Sequence, residues 1–284
     1  MAHPFRLPPG KEVKLRKISA EAGENLDKDK LKQEAEELKE KLEKLQEKLY
    51  AGREKAILFL FQGMDTSGKD GVIRKAFAGV NPQGFRVHSF KAPTAEEAAH
   101  DFLWRAHQLI PARGYMAAFN RSYYEDVLIT RVHGQVSDAE AKRRLKHIRH
   151  FEELLADSGV VLVKIFLHIS KEFQLEKLKD RIVNPDKNWK FDPNDLVERK
   201  SWEAYQRCYE EVFENSGTPD APWHLVPADN RKYRDWAVLR IAVETLEGMK
   251  LNFPAPHPEL QKFLPEIEQE QKTPQKISTT SETL

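Results

Sequence analysis

Ala56-Ile57-Leu58-Phe59-Leu60-Phe61-Gln62 runs directly into Gly63-Met64-Asp65-Thr66-Ser67-Gly68-Lys69-Asp70. The first stretch is the apolar run of a buried strand, and the second has the glycine and lysine spacing of a phosphate-binding loop. Its glycines allow backbone N–H groups to point inward, Lys69 adds positive charge, and the helix expected next presents its positive end. A chance glycine-rich turn is the alternative, and the strand before the loop and the helix-forming residues after it weigh against that alternative. We therefore expect phosphate-binding positions at Gly63, Thr66, Ser67, Gly68, Lys69 and Asp70, although Asp70 stands where Ser or Thr usually follows the lysine.

Asp65 is the unusual residue of this loop. A carboxylate inside a phosphate cradle would repel the ligand unless a cation lay between them. The loop therefore predicts phosphoryl chemistry together with a divalent metal ion, for which Mg²⁺ is the first choice.

The composition of the chain limits its size class and its partners. The 284 residues, 40% of them hydrophobic, suit one α/β domain with appendages or at most two domains. With 46 Lys and Arg against 45 Asp and Glu, the net charge of +1 gives no reason to expect nucleic acid or a membrane as a partner. The single cysteine, Cys208, excludes an intramolecular disulfide. We recognise no signal-peptide core and no apolar run of membrane length, so we expect a cytoplasmic protein.

Strand-like and helix-like segments alternate through the middle of the chain. Strands are predicted at 56–62, 85–90, 115–119, 160–168 and 223–226. Helices are predicted at about 94–109 and 137–157, each opened by a capping box, and at about 171–182, 195–215 and 233–246. Strands separated by helices form a parallel sheet covered on both faces. The expected fold class is therefore α/β, with three layers (α/β/α) and a five-stranded parallel sheet.

The two ends of the chain differ from this middle region. Residues 1–28 look irregular, and a helix is predicted at 29–50, where apolar residues recur at alternating steps of four and three. This stripe fits a helix docked on the body of the protein or, alternatively, a helix that pairs across a subunit interface. We expect a single domain over 29–264 and a disordered polar tail over 265–284.

A second polar cluster follows the third predicted strand and contains Asn120, Arg121 and Glu125. In phosphate-loop enzymes this strand end faces the loop and usually supplies a metal-binding aspartate. Asn120 cannot neutralise a cation, so Asp65 or Glu125 has to supply the missing negative charge. Arg121 can grip a transferring phosphoryl group with its guanidinium fork, and a structural ion pair is the alternative role. The predicted catalytic residues are Asp65, Lys69, Arg121 and Glu125, with Asp65 and Glu125 as the metal ligands.

The segment 181–200 is rich in cations and is interrupted by two prolines. Cations that close over phosphates neutralise their charge and exclude water, so we predict a lid in which Arg181, Lys187 and Lys190 bind phosphate. An ordinary charged surface loop is the alternative.

The predicted helix at 137–157 carries a run of basic residues outside its apolar stripe. We hypothesise that this face lines the route of a long polyanion, and a solvated helix face is the alternative. The residues concerned are Lys142, Arg143, Arg144, Lys146 and Arg149.

Three motifs taken together resemble the polyphosphate kinases of family 2. They are Gly63-Met64-Asp65-Thr66-Ser67-Gly68-Lys69-Asp70-Gly71, Asn120-Arg121-Ser122-Tyr123-Tyr124-Glu125 and Asn184-Pro185-Asp186-Lys187-Asn188-Trp189-Lys190, and the resemblance runs in order from about Phe5 to Leu264. It implies a phosphate-loop kinase fold similar to that of thymidylate kinase, with 181–200 as the lid. It also implies transfer of a terminal phosphoryl group between inorganic polyphosphate and nucleotides, with Mg²⁺ or Mn²⁺, by a homo-oligomer.

The sequence departs from much of that family at two positions. Many members have Asp at the position of Asn120 and Asn at the position of Glu125, whereas this chain has Asn and Glu there. The pattern resembles the one-domain subgroup that accepts both nucleoside mono- and diphosphates. The resemblance thus implies adenine nucleotides as partners, bound near Asp65, Asn120, Arg121 and Glu125.

We therefore predict phosphoryl transfer from inorganic polyphosphate to AMP or ADP without a covalent intermediate. One alternative is an ATP-dependent nucleoside monophosphate kinase of the same fold, which would need fewer cations than the basic helix and the lid supply. The other is a non-catalytic nucleotide- or polyphosphate-binding assembly module, which would not need a metal-binding carboxylate inside the loop.

Overall fold

The five predicted strands form one parallel sheet. A computed structural model describes residues 5–23 and 27–272 of the chain. Its strands are β1 (Ala56–Gln62), β2 (Phe85–Ser89), β3 (Met116–Asn120), β4 (Val160–His168) and β5 (Trp223–Pro227). They lie in the order β2-β3-β1-β4-β5, and every neighbouring pair is parallel. The predicted strand boundaries are right to within one residue.

Helices connect successive strands, as a parallel sheet requires. The helices of the described residues are α1 (Lys28–Gly52), α2 (Lys69–Ala76), α3 (Ala95–Ala98), α4 (Trp104–His107), α5 (Ile129–Val132), α6 (Asp138–Asp157), α7 (Lys171–Val183), α8 (Asn194–Glu198), α9 (Trp202–Ser216), α10 (Arg231–Gly248) and α11 (Leu260–Lys272). Of these, α2 to α9 lie between strands, whereas α1 precedes β1 and α10 and α11 follow β5. Among the described residues, no helix combines the length and the apolar character that crossing a membrane would need.

The central strands carry the core. All seven residues of β1 are buried, and in β4 only Val161 is partly exposed. A parallel strand covered by helices on both faces has no solvent side, which explains why these strands read as continuous apolar runs rather than as alternating ones.

The leucine-striped helix α1 docks on the body of the same chain. Leu31, Leu42 and Leu49 are buried, and α1 packs along α10. The Trp236 indole N–H of α10 donates to the Glu34 carboxylate at 2.9 Å. The stripe is therefore covered within the chain, as the first of the two interpretations predicted.

The prediction of one continuous helix over about 94–109 is wrong. The Thr94 capping box is present, with reciprocal bonds to Glu97, but the helix it opens ends at Ala98. A separate turn follows in which the Asp101 carboxylate accepts the Leu103 N–H at 3.0 Å, and the next helix begins at Trp104. Asp competes for backbone N–H groups in this way, and the local bond interrupts the helical ladder.

The predicted helix at 195–215 is also interrupted. It consists of α8, a 3₁₀ turn over Arg199–Ser201, and α9. The Arg199 guanidinium donates to the Lys171 carbonyl at 2.6 Å and to the Gln174 side chain at 2.9 Å, so the turn is fastened to α7.

The described residues of the predicted irregular segment at 1–28 pack on the sheet edge. Leu7 N–H donates to the Trp223 carbonyl and Leu225 N–H donates to the Phe5 carbonyl, both at 2.8 Å. This antiparallel bridge covers the outer edge of β5, and a 3₁₀ turn follows at Leu15–Lys17. Residues 1–4 and 24–26 of the predicted segment lie outside the described residues.

The chain divides into a unit that ends at Asn252 and a second that begins at Phe253. The described part of the second unit contains α11, which has Pro265 inside it. The expected boundary at 264 falls within this helix, and the tail expected to be disordered from 265 is helical as far as Lys272. The polar composition of the tail led to the expectation of disorder, although Leu260, Leu264 and Ile267 recur at helical spacing. Residues 273–284 lie outside the described part of the chain.

Candidate active site

The carboxyl ends of neighbouring parallel strands bring two distant motifs together. Phe61 of β1 is in register with Asn120 of β3, and Arg121 N–H donates to the Phe61 carbonyl at 2.9 Å. The Gly63 loop leaves β1 at the edge where Arg121 leaves β3. In open α/β sheets, ligands bind at this edge.

The loop has the curled backbone expected of a phosphate cradle. Gly63 has φ +150° and Gly68 has φ +90°, both in the region that favours glycine. A Cβ on Gly63 would lie 2.8 Å from the Leu167 carbonyl oxygen, so the loop is pressed against the end of β4. The helix α2 begins at Lys69, and its unsatisfied backbone N–H groups therefore face the loop.

Lys69 is nearly fully buried, and its ammonium group spans the loop. Its Nζ donates to the Gly63 carbonyl at 2.8 Å and lies 3.3 Å from the Met64 carbonyl. Burial lowers the pKa of Lys69 to about 8, and the charge of Arg121 acts in the same direction, against the carboxylates of Asp65, Glu125 and Asp70. A phosphate bound beside this ammonium group would stabilise its charged form.

Asp65 and Arg121 form an ion pair at the centre of the site, with 2.6 Å between Arg121 Nη2 and Asp65 Oδ1. Arg121 has a left-handed backbone, with φ +60°, which is uncommon for a residue other than glycine. The Asp65 backbone carbonyl accepts the Gln174 side-chain N–H at 3.1 Å, which ties the loop to α7.

Glu125 and Asn120 each form a hydrogen bond at the phosphate-binding loop, Glu125 with the residue just before the loop and Asn120 with its last residue. Glu125 accepts the Gln62 side-chain N–H at 3.0 Å, and Asn120 Nδ2 donates to the Asp70 carboxylate. Burial raises the pKa of Glu125, whereas Arg121, the bond from Gln62 and the charge of Lys69 lower it.

Two hydroxyls of the loop are buried without a hydrogen-bond partner among the described residues, Thr66 Oγ1 and Ser67 Oγ. Buried polar groups are normally paired because an unpaired one loses its solvation. An oxygen-rich ligand in the loop would supply the missing partners.

A cleft of about 690 Å³ opens over the loop. Eleven basic and five acidic side chains line it. The basic ones are Lys69, Arg74, Lys75, Lys91, Arg121, Lys177, Arg181, Lys187, Lys190, Arg231 and Arg234. We call this space the basic cleft.

A second cleft of about 350 Å³ opens beyond the Asp65–Arg121 pair. Its wall includes Met64, Ile129, Tyr205 and Tyr209, and five of its lining residues are acidic. We call it the acidic cleft. Asp65, Arg121, Asp192 and Asp195 line both clefts, so the ion pair stands where the two meet.

The predicted lid lies beside the loop in the basic cleft. Arg181 donates to Asp195 at 2.6 Å and to the Lys190 carbonyl at 3.1 Å, and Lys187 pairs with Asp180 at 2.8 Å. Burial and the charge of Asp65 raise the pKa of Asp195 to about 6. The structure thus brings Arg181, Lys187 and Lys190 to the same cleft as Lys69, and their binding roles stay predictions.

Comparison with known proteins identifies the family. The family described as Polyphosphate kinase 2 (PPK2) matches residues 25–254. The chain belongs to the PPK2 family. This confirms the expected family and, with the parallel sheet, the expected fold class.

Named PPK2 relatives match most of the chain. The AMP/ADP-polyphosphate phosphotransferase of Meiothermus ruber is 46% identical over 215 residues, which are 76% of this chain and 80% of that protein. The ADP-polyphosphate phosphotransferase of Rhodopseudomonas palustris is 42% identical over 233 residues, 78% of this chain and 81% of that protein. The crystal structure of polyphosphate kinase 2 from Arthrobacter aurescens TC1 superposes with a TM-score of 0.88 at 38% identity, covering 93% of this chain and 95% of that one.

The basic helix of this PPK2 chain lies apart from both clefts. Within residues 5–23 and 27–272, neither cleft is lined by any of the five basic side chains of α6 named above. Arg143 and Arg144 pair with Glu140, and Arg144 also donates to the Asp126 carbonyl at 3.1 Å. Arg149 approaches Glu153 at 3.9 Å. The structure does not bring this face to the loop, and its role as a polyphosphate route stays a prediction.

The sequence reasoning missed Arg234, which lies beneath the loop. It is 4% exposed, its Nη1 is 3.3 Å from the Ser67 carbonyl, and Asp235 holds its other nitrogens. A Cβ on Gly68 would collide with its guanidinium, so Gly68 is needed for close approach as well as for its φ. Arg231 and Arg234 fall one turn apart on α10, but no motif connects this helix with a loop more than 160 residues earlier.

The residues of the site fit a hard divalent cation. Among the described residues no cluster of three His, Cys, Asp or Glu side chains forms a cage for a metal. Mg²⁺ does not need one, since it usually takes one or two carboxylates together with substrate phosphates and water. Asp65 and Glu125 both line the acidic cleft and offer oxygen donors beside the loop.

Proposed function

We propose that this PPK2 chain transfers the terminal phosphoryl group of inorganic polyphosphate to AMP and to ADP. The observation that carries the proposal is the basic cleft, in which a glycine-lysine loop and lid cations face one another. A polyphosphate chain is negatively charged along its whole length. Eleven basic side chains against five acidic ones leave an excess of six positive charges, more than the phosphates of one nucleotide need. This supports polyphosphate over ATP as the donor.

The two clefts suggest separate places for donor and acceptor. Polyphosphate would occupy the basic cleft, with its terminal units on the loop and on Lys69. The nucleotide would enter the acidic cleft, where Tyr205, Tyr209 and Ile129 offer an apolar surface for the base. Its terminal phosphate would then reach Arg121 at the junction, so the two reacting phosphates would meet there.

The chain would act chiefly by alignment and charge stabilisation. Lys69 and the loop N–H groups would hold the donor, and Arg121 would hold the transferring group between donor and acceptor oxygens. The lid would exclude water, which would otherwise accept the phosphoryl group. Asp65 and Glu125 would hold Mg²⁺ or Mn²⁺, which when bound would neutralise part of the negative charge of the phosphates.

Acceptance of both AMP and ADP rests on Asn120 and Glu125. Asn120 is bonded to Asp70 at the loop, whereas Glu125 faces the acidic cleft. This location supports a role for the Glu125 carboxylate at the acceptor nucleotide. The relative of Meiothermus ruber is named for both AMP and ADP, and that of Rhodopseudomonas palustris for ADP.

The test is an endpoint assay of purified protein with Mg²⁺ and long-chain polyphosphate, with AMP and ADP in separate tubes and nucleotides separated by chromatography. ATP from ADP, and ADP followed by ATP from AMP, are the expected products. ATP from ADP alone would refute the claim about AMP. No product in either tube, with ADP formed from ATP and AMP, would establish a conventional nucleotide kinase instead.

The reversibility of the transfer, the cytoplasmic location and the homo-oligomeric state belong to the same proposal. Reversibility is tested by polyphosphate synthesis from ATP, location by cell fractionation, and the oligomeric state by light scattering.

A further inference from the structure

A fully buried ion pair lies under the segment that carries Arg121 and Glu125. Lys164 of β4 is 0% exposed, and its Nζ is 2.6 Å from Oε2 of Glu152 on α6, which is 2% exposed. The same ammonium donates to the Ser216 carbonyl at 2.7 Å and to the Tyr124 hydroxyl at 3.2 Å. All three ammonium protons of Lys164 therefore have an acceptor.

Two tyrosines complete this network from the motif itself. Tyr123 and Tyr124 are 0% exposed, and both hydroxyls donate to Oε1 of Glu152, at 2.8 and 2.7 Å. Glu152 thus accepts three bonds, and every member of the network is satisfied.

Stability alone gives a weak reason for such a network. Taking two charges out of water is costly, and well-packed apolar side chains in place of a buried ion pair often leave stability equal or higher. A fully connected buried network instead fixes one arrangement of the groups it joins. The groups joined here are α6, β4, the end of α9 and the turn after β3.

That turn holds an uncommon backbone at the site. Arg121 has φ +60°, and the Ser122 side chain and carbonyl accept N–H groups from Tyr124 and Glu125. A residue in such a conformation keeps it only when its surroundings determine it from several sides. Arg121 and Glu125 point to the clefts, while the two tyrosines between them point into the core.

We propose that Glu152 is a positioning residue for phosphoryl transfer: by holding the hydroxyls of Tyr123 and Tyr124, it fixes the turn that places Arg121 against Asp65 and Glu125 in the acidic cleft. Lys164 holds Glu152 in place and keeps its charge balanced. The inference rests on the proposed function, because the property it explains is the rate of that transfer.

The test compares kcat and KM of the wild type with those of Tyr123→Phe/Tyr124→Phe, Glu152→Gln and Glu152→Leu, using polyphosphate of fixed length and ADP. The tyrosine variant keeps both rings and removes only the hydroxyls. Misplacement of catalytic groups by about an ångström costs up to roughly a hundredfold in rate. We expect kcat to fall roughly ten- to a hundredfold in the tyrosine variant while KM for polyphosphate stays within about threefold. Glu152→Gln keeps one oxygen that can accept both hydroxyls but loses the bond and the charge opposite Lys164, whereas Glu152→Leu loses all of these; Glu152→Gln should therefore keep more activity than Glu152→Leu.

Leu42→Ala is the matched control, because Leu42 is a buried residue of α1, which packs along α10 and carries no residue of the network or of the turn. It should lower the melting temperature with kcat unchanged at 25 °C. Hydrogen exchange supplies a readout independent of turnover: in the tyrosine variant, amides 121–128 should exchange faster while those of β1 remain protected.

Unchanged kcat with unchanged exchange at 121–128 in the tyrosine variant would overturn the inference, whatever happens to its melting temperature. A loss of kcat in Leu42→Ala as large as in the tyrosine variant would also overturn it. A wild-type protein without turnover would instead refute the proposed function, and the exchange measurement would still decide whether the network holds the turn.

Discussion

Replacing Lys69 with methionine removes the buried positive charge that spans the loop and keeps an unbranched stem of similar length. The ammonium lies 2.8 Å from the Gly63 carbonyl and is 8% exposed, so the surrounding protein screens it less than water would. A charge about 4 Å from a phosphate charge contributes ~4 kcal/mol at an effective dielectric constant of about 20. That energy corresponds to roughly a thousandfold in rate. Because the charge on the reacting oxygens changes during transfer, we expect the loss mainly in kcat.

The assay is the initial rate of ATP formation from ADP and polyphosphate at saturating concentrations of both. Lys41→Met, on the exposed face of α1, is the matched control and should retain the wild-type rate. Circular dichroism and thermal unfolding establish that both variants are folded. A folded Lys69→Met protein with turnover within about tenfold of the wild type would refute this account of the loop.

Three further predictions concern the loop, its pH dependence and the basic helix. Gly63→Ala places a Cβ 2.8 Å from the Leu167 carbonyl at a positive φ, so it should destabilise the fold by about 1–3 kcal/mol and abolish polyphosphate binding. Denaturant unfolding measures the stability and calorimetry measures the binding. Wild-type values of both would contradict the geometry. Because the pKa of Lys69 is lowered to about 8, its positive charge is lost as pH rises through that value, and kcat/KM for polyphosphate should fall above it; a profile that stays level to pH 10 would contradict this. A long polyphosphate chain that extends beyond the cleft would meet α6, whereas tripolyphosphate would not reach it. Lys146→Gln/Arg149→Gln should therefore raise KM for long chains about threefold and leave KM for tripolyphosphate unchanged. A variant with the wild-type KM for long chains would show that α6 does not bind polyphosphate.

Several elements of the fold were predictable from the pattern of their own residues. The helix α6 starts and ends where predicted, because the Ser137 hydroxyl caps the Glu140 N–H and Leu145, Ile148 and Phe151 give a regular buried stripe. The strands β1 and β4 were predictable because a parallel sheet leaves them no solvent face. The bridge of Arg6 to His224 was not, since it depends on an edge formed more than 200 residues later.

The residues of the site likewise divide into those that the sequence predicts and those that it does not. Lys69 and Asp65 lie within one short motif, and the parallel pairing of β1 with β3 brings Arg121 beside them, so the sequence was sufficient for this group. Arg234 reaches the loop from α10, and the residues next to it in the sequence form no motif that predicts this contact. Conversely, the charge run of α6 is conspicuous in sequence, but three of its arginines have acidic partners on their own helix.

The Asp65–Arg121 pair gives a physical reason for the odd carboxylate in the loop. In the structure the two side chains neutralise each other where the clefts meet, 2.6 Å apart. A phosphoryl group that arrives between the clefts competes with Asp65 for the guanidinium, and Asp65 then needs a new positive partner. A divalent cation that accompanied the phosphate would supply that partner. If this exchange operates, anion binding at Arg121 and cation binding at Asp65 assist each other. The nearby Asp195 shows how much negative charge gathers at the junction: burial and the charge of Asp65 raise its pKa to about 6, although Arg181 and Arg121 act in the opposite direction.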